Sequence, residues 1–162
     1  MWWSKRVLRM LEGAELGREI SRGQAYAADG RVVSLAVVPG RISAAVSGTR
    51  PSPYRVLLEV HPLDPTVWTE LLSVVFERPA ARAALLRGAL PGELARLIPL
   101  DPVDVSIQCS CPVHDAICKH AAAVFFDFAA RLVDEPLLLL TWRGCEADAI
   151  TGMLQIPEAR TA

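Results

Sequence analysis

Three thiols and one imidazole fall within the twelve residues 109–120 of a 162-residue chain that has four Cys and three His in all. They are Cys109, Cys111, Cys118 and His120, in two pairs, C-x-C and C-x-H, with six residues between the pairs. Cys3His is a complete tetrahedral donor set for zinc, of the closed kind that leaves no position for a substrate. With four protein ligands the metal cannot activate water, so its role is structural and not hydrolytic. Buried free cysteines with a chance histidine explain such crowding poorly. His114 stands between the pairs and could take the place of His120. Cys118-Lys119-His120 has the tighter geometry, which leaves His114 as a loop residue over the metal or a donor behind it. A hydrolytic reading would need Asp115, His114 and an open metal position together.

Two elements must hold these ligands. Val103 to Ile107 alternates as a strand feeding the first pair, and the Ala-rich stretch Ala121 to Val133 reads as a helix that begins at the second. Its stripe of Ala122, Phe125, Ala129 and Leu132 is wide enough to require burial. Upstream, Val32 to Val38 and Arg41 to Ser47 flank Pro39-Gly40, the central pair of a type II turn, and Tyr54 to Val60 supplies a third strand. Asp64-Pro65 is an N-cap followed by Pro at the first helical position. Helical stretches then run to about Ile98. Earlier, residues 3–17 form a short helix or irregular arm, and Arg18 to Asp29 forms a second helix. Leu137 to Arg143 is a buried segment that periodicity alone does not type, and the tail from Gly152 is thin in apolar residues and expected to fray.

The expected fold class is therefore α+β: a three-stranded antiparallel sheet plus helices, then a Cys3His zinc finger with a packed helix. The chain divides into an N-terminal body, residues 1–100, and a finger with its C-terminal helix, residues 101–162.

Hydrophobic residues make up 52% and charged residues 22%, a balance that supports a core and argues against disorder. No apolar run reaches the length of a membrane helix, and the start lacks the apolar region of a signal peptide. A metal-spaced thiol cluster suits a reducing, cytoplasmic setting, with association with the nucleoid if DNA is engaged. Cys145 is left over and reads as a small hydrophobe at a helix end. No P-loop, dinucleotide-binding or hydrolase motif is found, and the chain is read as non-enzymatic.

The formal net charge is −1, but residues 1–60 hold nine basic and five acidic residues, and residues 101–162 hold four basic and nine acidic. Arg18, Arg22, Arg31, Arg41, Arg50 and Arg55, with Tyr26 and Tyr54, make a sequence-level case for an Arg/Tyr surface that holds DNA or RNA phosphates and stacks bases. The competing reading leaves these arginines on a solvated face and Tyr54 in the sheet core. The acidic finger half suits a basic protein surface better than DNA.

The motifs together resemble the SWIM-type zinc finger of bacterial proteins. The likeness rests on Arg22-Gly23-Gln24-Ala25-Tyr26-Ala27, Gly48-Thr49-Arg50-Pro51-Ser52-Pro53-Tyr54, Cys109 to Pro112, Cys118 to Ala122, and Arg143-Gly144. The spacer between the ligand pairs is at the short end for that family, which leaves little room for a recognition element inside the finger. The resemblance implies one structural Zn2+ per chain. It also implies an adaptor role in DNA metabolism, docking to an SNF2-type helicase and touching nucleic acid. Direct nucleic-acid binding, or protein binding alone, are the other readings.

Overall fold

The structure, a computed structural model, describes residues 1–12, 17–113 and 115–155, with the backbone alone at 147, 151 and 153. Helix α1 spans Trp2–Leu8 and continues into a 3-10 turn, Arg9–Leu11; α2 spans Gly17–Ala28. Strands β1 (Val32–Val38), β2 (Arg41–Val46) and β3 (Tyr54–Val60) follow. Helices α3 (Pro65–Glu77) and α4 (Pro79–Leu86) lead through 3-10 turns to strand β4, Val105–Cys109. Helices α5 (Lys119–Asp134), α6 (Leu138–Trp142) and α7 (Ala147–Gln155) complete the order. The α+β class is as expected.

The sheet has four strands and not three. Its order is β1-β2-β3-β4, antiparallel throughout. The added strand pairs Val56 with Cys109, Leu58 with Ile107 and Val60 with Val105. A β3 edge left open would present unpaired N–H and C=O groups, and β4 covers it. The sheet thus runs across residue 100, and β4 carries the first thiol on its last residue.

Gly40 at the β1–β2 turn has φ 78°, the positive value that the third residue of a type II turn requires. Its N–H donates to the Trp142 carbonyl at 3.0 Å, which ties the turn to α6. Ile42, Val46, Val56 and Leu58 point from the sheet into the core. They share one cluster with Val124, Phe125, Phe128 and Leu132 of α5 and Trp142 of α6. Phe128 meets Trp142 edge-on, with centroids 5.3 Å apart, and the indole N–H of Trp142 donates to Leu58 O at 3.4 Å. The stripe expected on α5 is therefore buried, and the untyped Leu137–Arg143 segment is helical over Leu138–Trp142. The helix α7 extends through Gln155; of the tail expected to fray, residues 156–162 lie outside the described residues.

At the start of α3, Asp64 Oδ1 accepts from the Thr66 N–H at 2.8 Å and from its hydroxyl at 2.6 Å, with Pro65 in the first turn. Those two hydrogen bonds hold the Asp64 carboxyl below its ordinary range. The other face of the sheet is open. Ser34, Ala36, Ser43, Ala45 and Leu57 line a trough there of about 680 Å3.

Candidate metal centre

Strand β4 delivers Cys109, and the next residue, Ser110, is pinned to β3. Ser110 N donates to Arg55 O at 3.0 Å, and Arg55 N donates to Ser110 Oγ at 2.9 Å. This pairing turns the chain so that Cys111 can approach the same point as Cys109. The second pair enters on α5. Cys118 is its N-cap, and its sulfur accepts from the Ala121 N–H at 3.4 Å. A thiolate is well placed there, because the unpaired amides and the dipole of the helix favour negative charge.

The four donor atoms lie within 4.8 Å of one another. Two donors about 2.1 and 2.3 Å from a shared tetrahedral ion stand roughly 3.6 Å apart. Cys109 Sγ and His120 Nδ1 are 3.9 Å apart, close to that separation. Cys111, Cys118 and His120 are buried, and Cys109 is half-buried. All the cysteines among the described residues are free thiols. His120 Nε2 is buried and has no hydrogen-bond partner among the described residues. Soft sulfur donors, one imidazole and this enclosure fit zinc.

The thiols of Cys109 and Cys118 are linked by hydrogen bonding. Cys118 accepts a hydrogen bond from Cys109 and is held down to about 3, despite the opposing effect of burial. Cys109, the donor of that bond, is pushed far above its ordinary value, and burial adds to this. A divalent ion held by these residues would favour the ionised form of all three thiols.

Around the centre the structure gathers residues from the first third of the chain. Tyr54 stacks on the His120 ring, with centroids 4.2 Å apart and 26° between the planes. Tyr26 meets the same ring edge-on at 5.8 Å. The Arg50 guanidinium lies 4.2 Å over Tyr54, Arg31 lies 4.6 Å over Tyr26, and the Lys119 ammonium is 5.6 Å from the Tyr26 ring. Glu19 on α2 accepts from the Lys119 N–H at 3.2 Å and pairs with Arg22 at 3.0 Å. Sequence reading did not single out Glu19. Its partner is 100 positions away, so no local spacing marks it.

Not all of the expected Arg/Tyr surface converges here. Arg41 pairs with Glu59 at 2.9 Å at the opposite end of β2, five residues or about 17 Å along the strand from the Val46–Tyr54 pair. Arg18 and Arg55 are exposed. Tyr54 is not a surface residue: at 5% exposure it lies between Arg50 and His120, so it offers no free face for a base. Nor are the basic and acidic thirds of the sequence separate bodies in space. Arg31 and Arg50 stand beside the finger itself, because β4 joins the sheet and α5 packs on α2.

His114 lies outside the described residues. Asp101 caps the turn before β4 by accepting from the Val103 N–H at 3.1 Å. Cys145 is half-buried, and burial raises its thiol above the ordinary range, as suits a small apolar residue. It borders a cavity of about 220 Å3 lined by Trp68, Leu71, Val75, Leu85 and Ile150. No helix among the described residues is long and apolar enough to cross a membrane.

Residues 96–128 match the family model of the SWIM zinc finger. The chain is also 32% identical over 166 residues to the uncharacterized protein Rv2102 of Mycobacterium tuberculosis (strain ATCC 25618 / H37Rv). That alignment takes in 98% of this chain and 60% of the relative, so the chain spans about 60% of the length of the curated protein it matches. No solved structure matches it. The finger resembles a structural zinc-finger module and not a catalytic fold. β4, the two ligand pairs and the first part of α5 all fall inside the matched segment, and with its Cys3His cluster the chain carries a SWIM-type zinc finger.

Proposed function

We propose that this chain is a non-enzymatic adaptor of DNA metabolism whose zinc, held by Cys109, Cys111, Cys118 and His120, is structural. Bound zinc would supply a cross-link between the end of β4 and the start of α5, with no free position for chemistry. In this reading the face beside the centre meets nucleic-acid phosphate, and another part of the surface docks to a protein partner. By the family resemblance that partner belongs to the SNF2-type helicases.

One observation carries the nucleic-acid part: Arg31, Arg50 and Lys119 are seated over the two tyrosines that flank His120. Cations already placed over aromatic rings lose less freedom on meeting a phosphate than arginines spread along a solvated face. Tyr54 is enclosed, so the contact is electrostatic and not a stack of bases on that ring.

A second reading, protein binding alone, is favoured by the open sheet face. Small side chains at Ser34, Ala36, Ser43 and Ala45 leave there a trough with Leu57 in its floor.

Fluorescence anisotropy over a salt series, beside a pull-down with and without nuclease, separates the two. Under the adaptor reading, Arg50→Glu weakens DNA or RNA binding about equally across sequences and flattens the salt dependence by roughly one phosphate contact, about 0.9 in slope for duplex DNA. Partner capture then survives nuclease. Absent or salt-independent nucleic-acid binding with intact partner capture leaves protein binding alone.

A further inference from the structure

We infer that Tyr26, Gly48 and Tyr54, none of them a ligand, form the cradle that sets the orientation in which His120 meets the metal. The inference rests on the ligand set proposed above and adds to it the part played by the N-terminal body.

A metal-binding histidine is ordinarily oriented by donating its second ring N–H to a carboxylate, a carbonyl or water. His120 presents Nδ1 toward Cys109 Sγ, and its buried Nε2 has no hydrogen-bond partner among the described residues. Among the described residues no hydrogen bond to Nε2 fixes this ring, whereas its aromatic neighbours hold it on a face and an edge. Tyr54, the first residue of β3, stacks on one face of the imidazole at 26°. Tyr26, from α2, presses on it edge-on at 64°. Gly48, in the loop before β3, leaves the room that this stack occupies. A Cβ there would stand 2.4 Å from Tyr54 Cε2 and 3.2 Å from His120 Nε2. Even a methyl group at Gly48 would push Tyr54 against the imidazole or away from it.

These contacts also join parts of the chain far apart in sequence. Tyr26 lies in the segment Arg22 to Ala27, Gly48 and Tyr54 bound the segment that ends in Pro53-Tyr54, and both segments meet on a single ligand. They therefore act on the metal site without contributing a donor atom to it.

The test uses the full chain, reduced, and compares wild type with Tyr54→Phe, Tyr54→Leu, Tyr26→Leu and Gly48→Ala. Zinc affinity is read by competition with a chromophoric chelator, and the ligand field by the visible spectrum of the cobalt(II) form. Tyr54→Phe, which keeps the ring, binds zinc as wild type does. The other three lose about tenfold or more in affinity, the range usual for groups that orient a ligand. Their cobalt d–d bands shift while the thiolate charge-transfer band persists. A wild type that takes up no zinc overturns the ligand set itself. A wild type that binds zinc, beside folded Tyr26→Leu and Tyr54→Leu proteins with unchanged affinity and cobalt spectra, overturns the cradle, even if their melting temperatures fall. If Tyr54→Leu does not fold, Tyr26→Leu decides alone, since Tyr26 is only half-buried.

Discussion

Gly23 of α2 lies against Ala122 of α5 so closely that a Cβ on the glycine would stand 2.4 Å from the alanine Cβ. It would also stand 2.8 Å from the Lys119 carbonyl oxygen, so the obstruction is backbone as well as side chain. The two helices can pack at this distance only because one residue has no side chain, and the contact lies within one turn of His120.

Gly23→Ala should destabilise the protein by about 1–3 kcal/mol, the usual cost of overpacking a close contact. Gly152 on α7 meets nothing within 4 Å, so Gly152→Ala should instead stabilise by about 0.4–1 kcal/mol. Urea unfolding of the two variants checks the opposite signs.

Metal removal should be felt well beyond the ligands. A strong chelator in reducing buffer is expected to lower the melting temperature by roughly 8–16 °C. That figure follows from about 4 kcal/mol of stabilisation at a thousandfold excess of zinc over its Kd, at 2–4 °C per kcal/mol. Cys118→Ser should show the lowered melting temperature without chelator. Hydrogen exchange should locate the loss at residues 105–125 and at Tyr54, because β3 and α5 meet at the centre.

Asp64 gives a pH signature. Its folded-state pKa is depressed by the two Thr66 hydrogen bonds, so its contribution is fully present above the unfolded value, about 3.9. It is lost as the pH falls through the lower folded value. Asp64→Ala should melt below wild type at neutral pH, and the gap should close as the solution is taken below pH ~4. Thermal scans across that window measure it.

Arg143 is buried at 4% exposure, and its Nε and Nη1 have no hydrogen-bond partner among the described residues. Burial lowers its pKa, and the charge of Asp104 opposes that shift. Replacing a buried charge by an apolar chain of similar volume is often neutral or favourable, whereas removing its counter-charge is not. Arg143→Met should therefore keep or raise the melting temperature. Asp104→Asn should lower it in wild type and leave it unchanged in the Arg143→Met background, a coupling that a double-mutant cycle reads directly.

The metal site was legible in the sequence because its ligands are local: two pairs within twelve residues, with a cap and an Ala-rich helix at once behind. The β1–β2 turn and the start of α3 were legible for the same reason, since Pro39-Gly40 and Asp64-Pro65 act on their immediate neighbours. β4 was visible as a strand but not as a member of the sheet. Its five residues pair with β3 across two helices and two 3-10 turns, and no turn residue announces a partner so distant. The meeting of Tyr26 and Tyr54 on His120 was hidden likewise, although both tyrosines stood out in the sequence. The uneven charge along the chain does not mark two separate parts of the fold, because a sheet strand and a helix pairing interleave the halves.

The late arrival of β4 also sets a timetable for synthesis. Strands β1 to β3 are complete at Val60, but the strand that covers the β3 edge begins only at Val105. At about 5–20 residues per second, those 45 residues take roughly 2–9 s to emerge from a ribosome. Through that interval the nascent chain carries an open β3 edge of alternating apolar residues, the kind of edge that recruits foreign strands. The finger segment that finally supplies the metal ligands is the same piece of chain that ends this exposure.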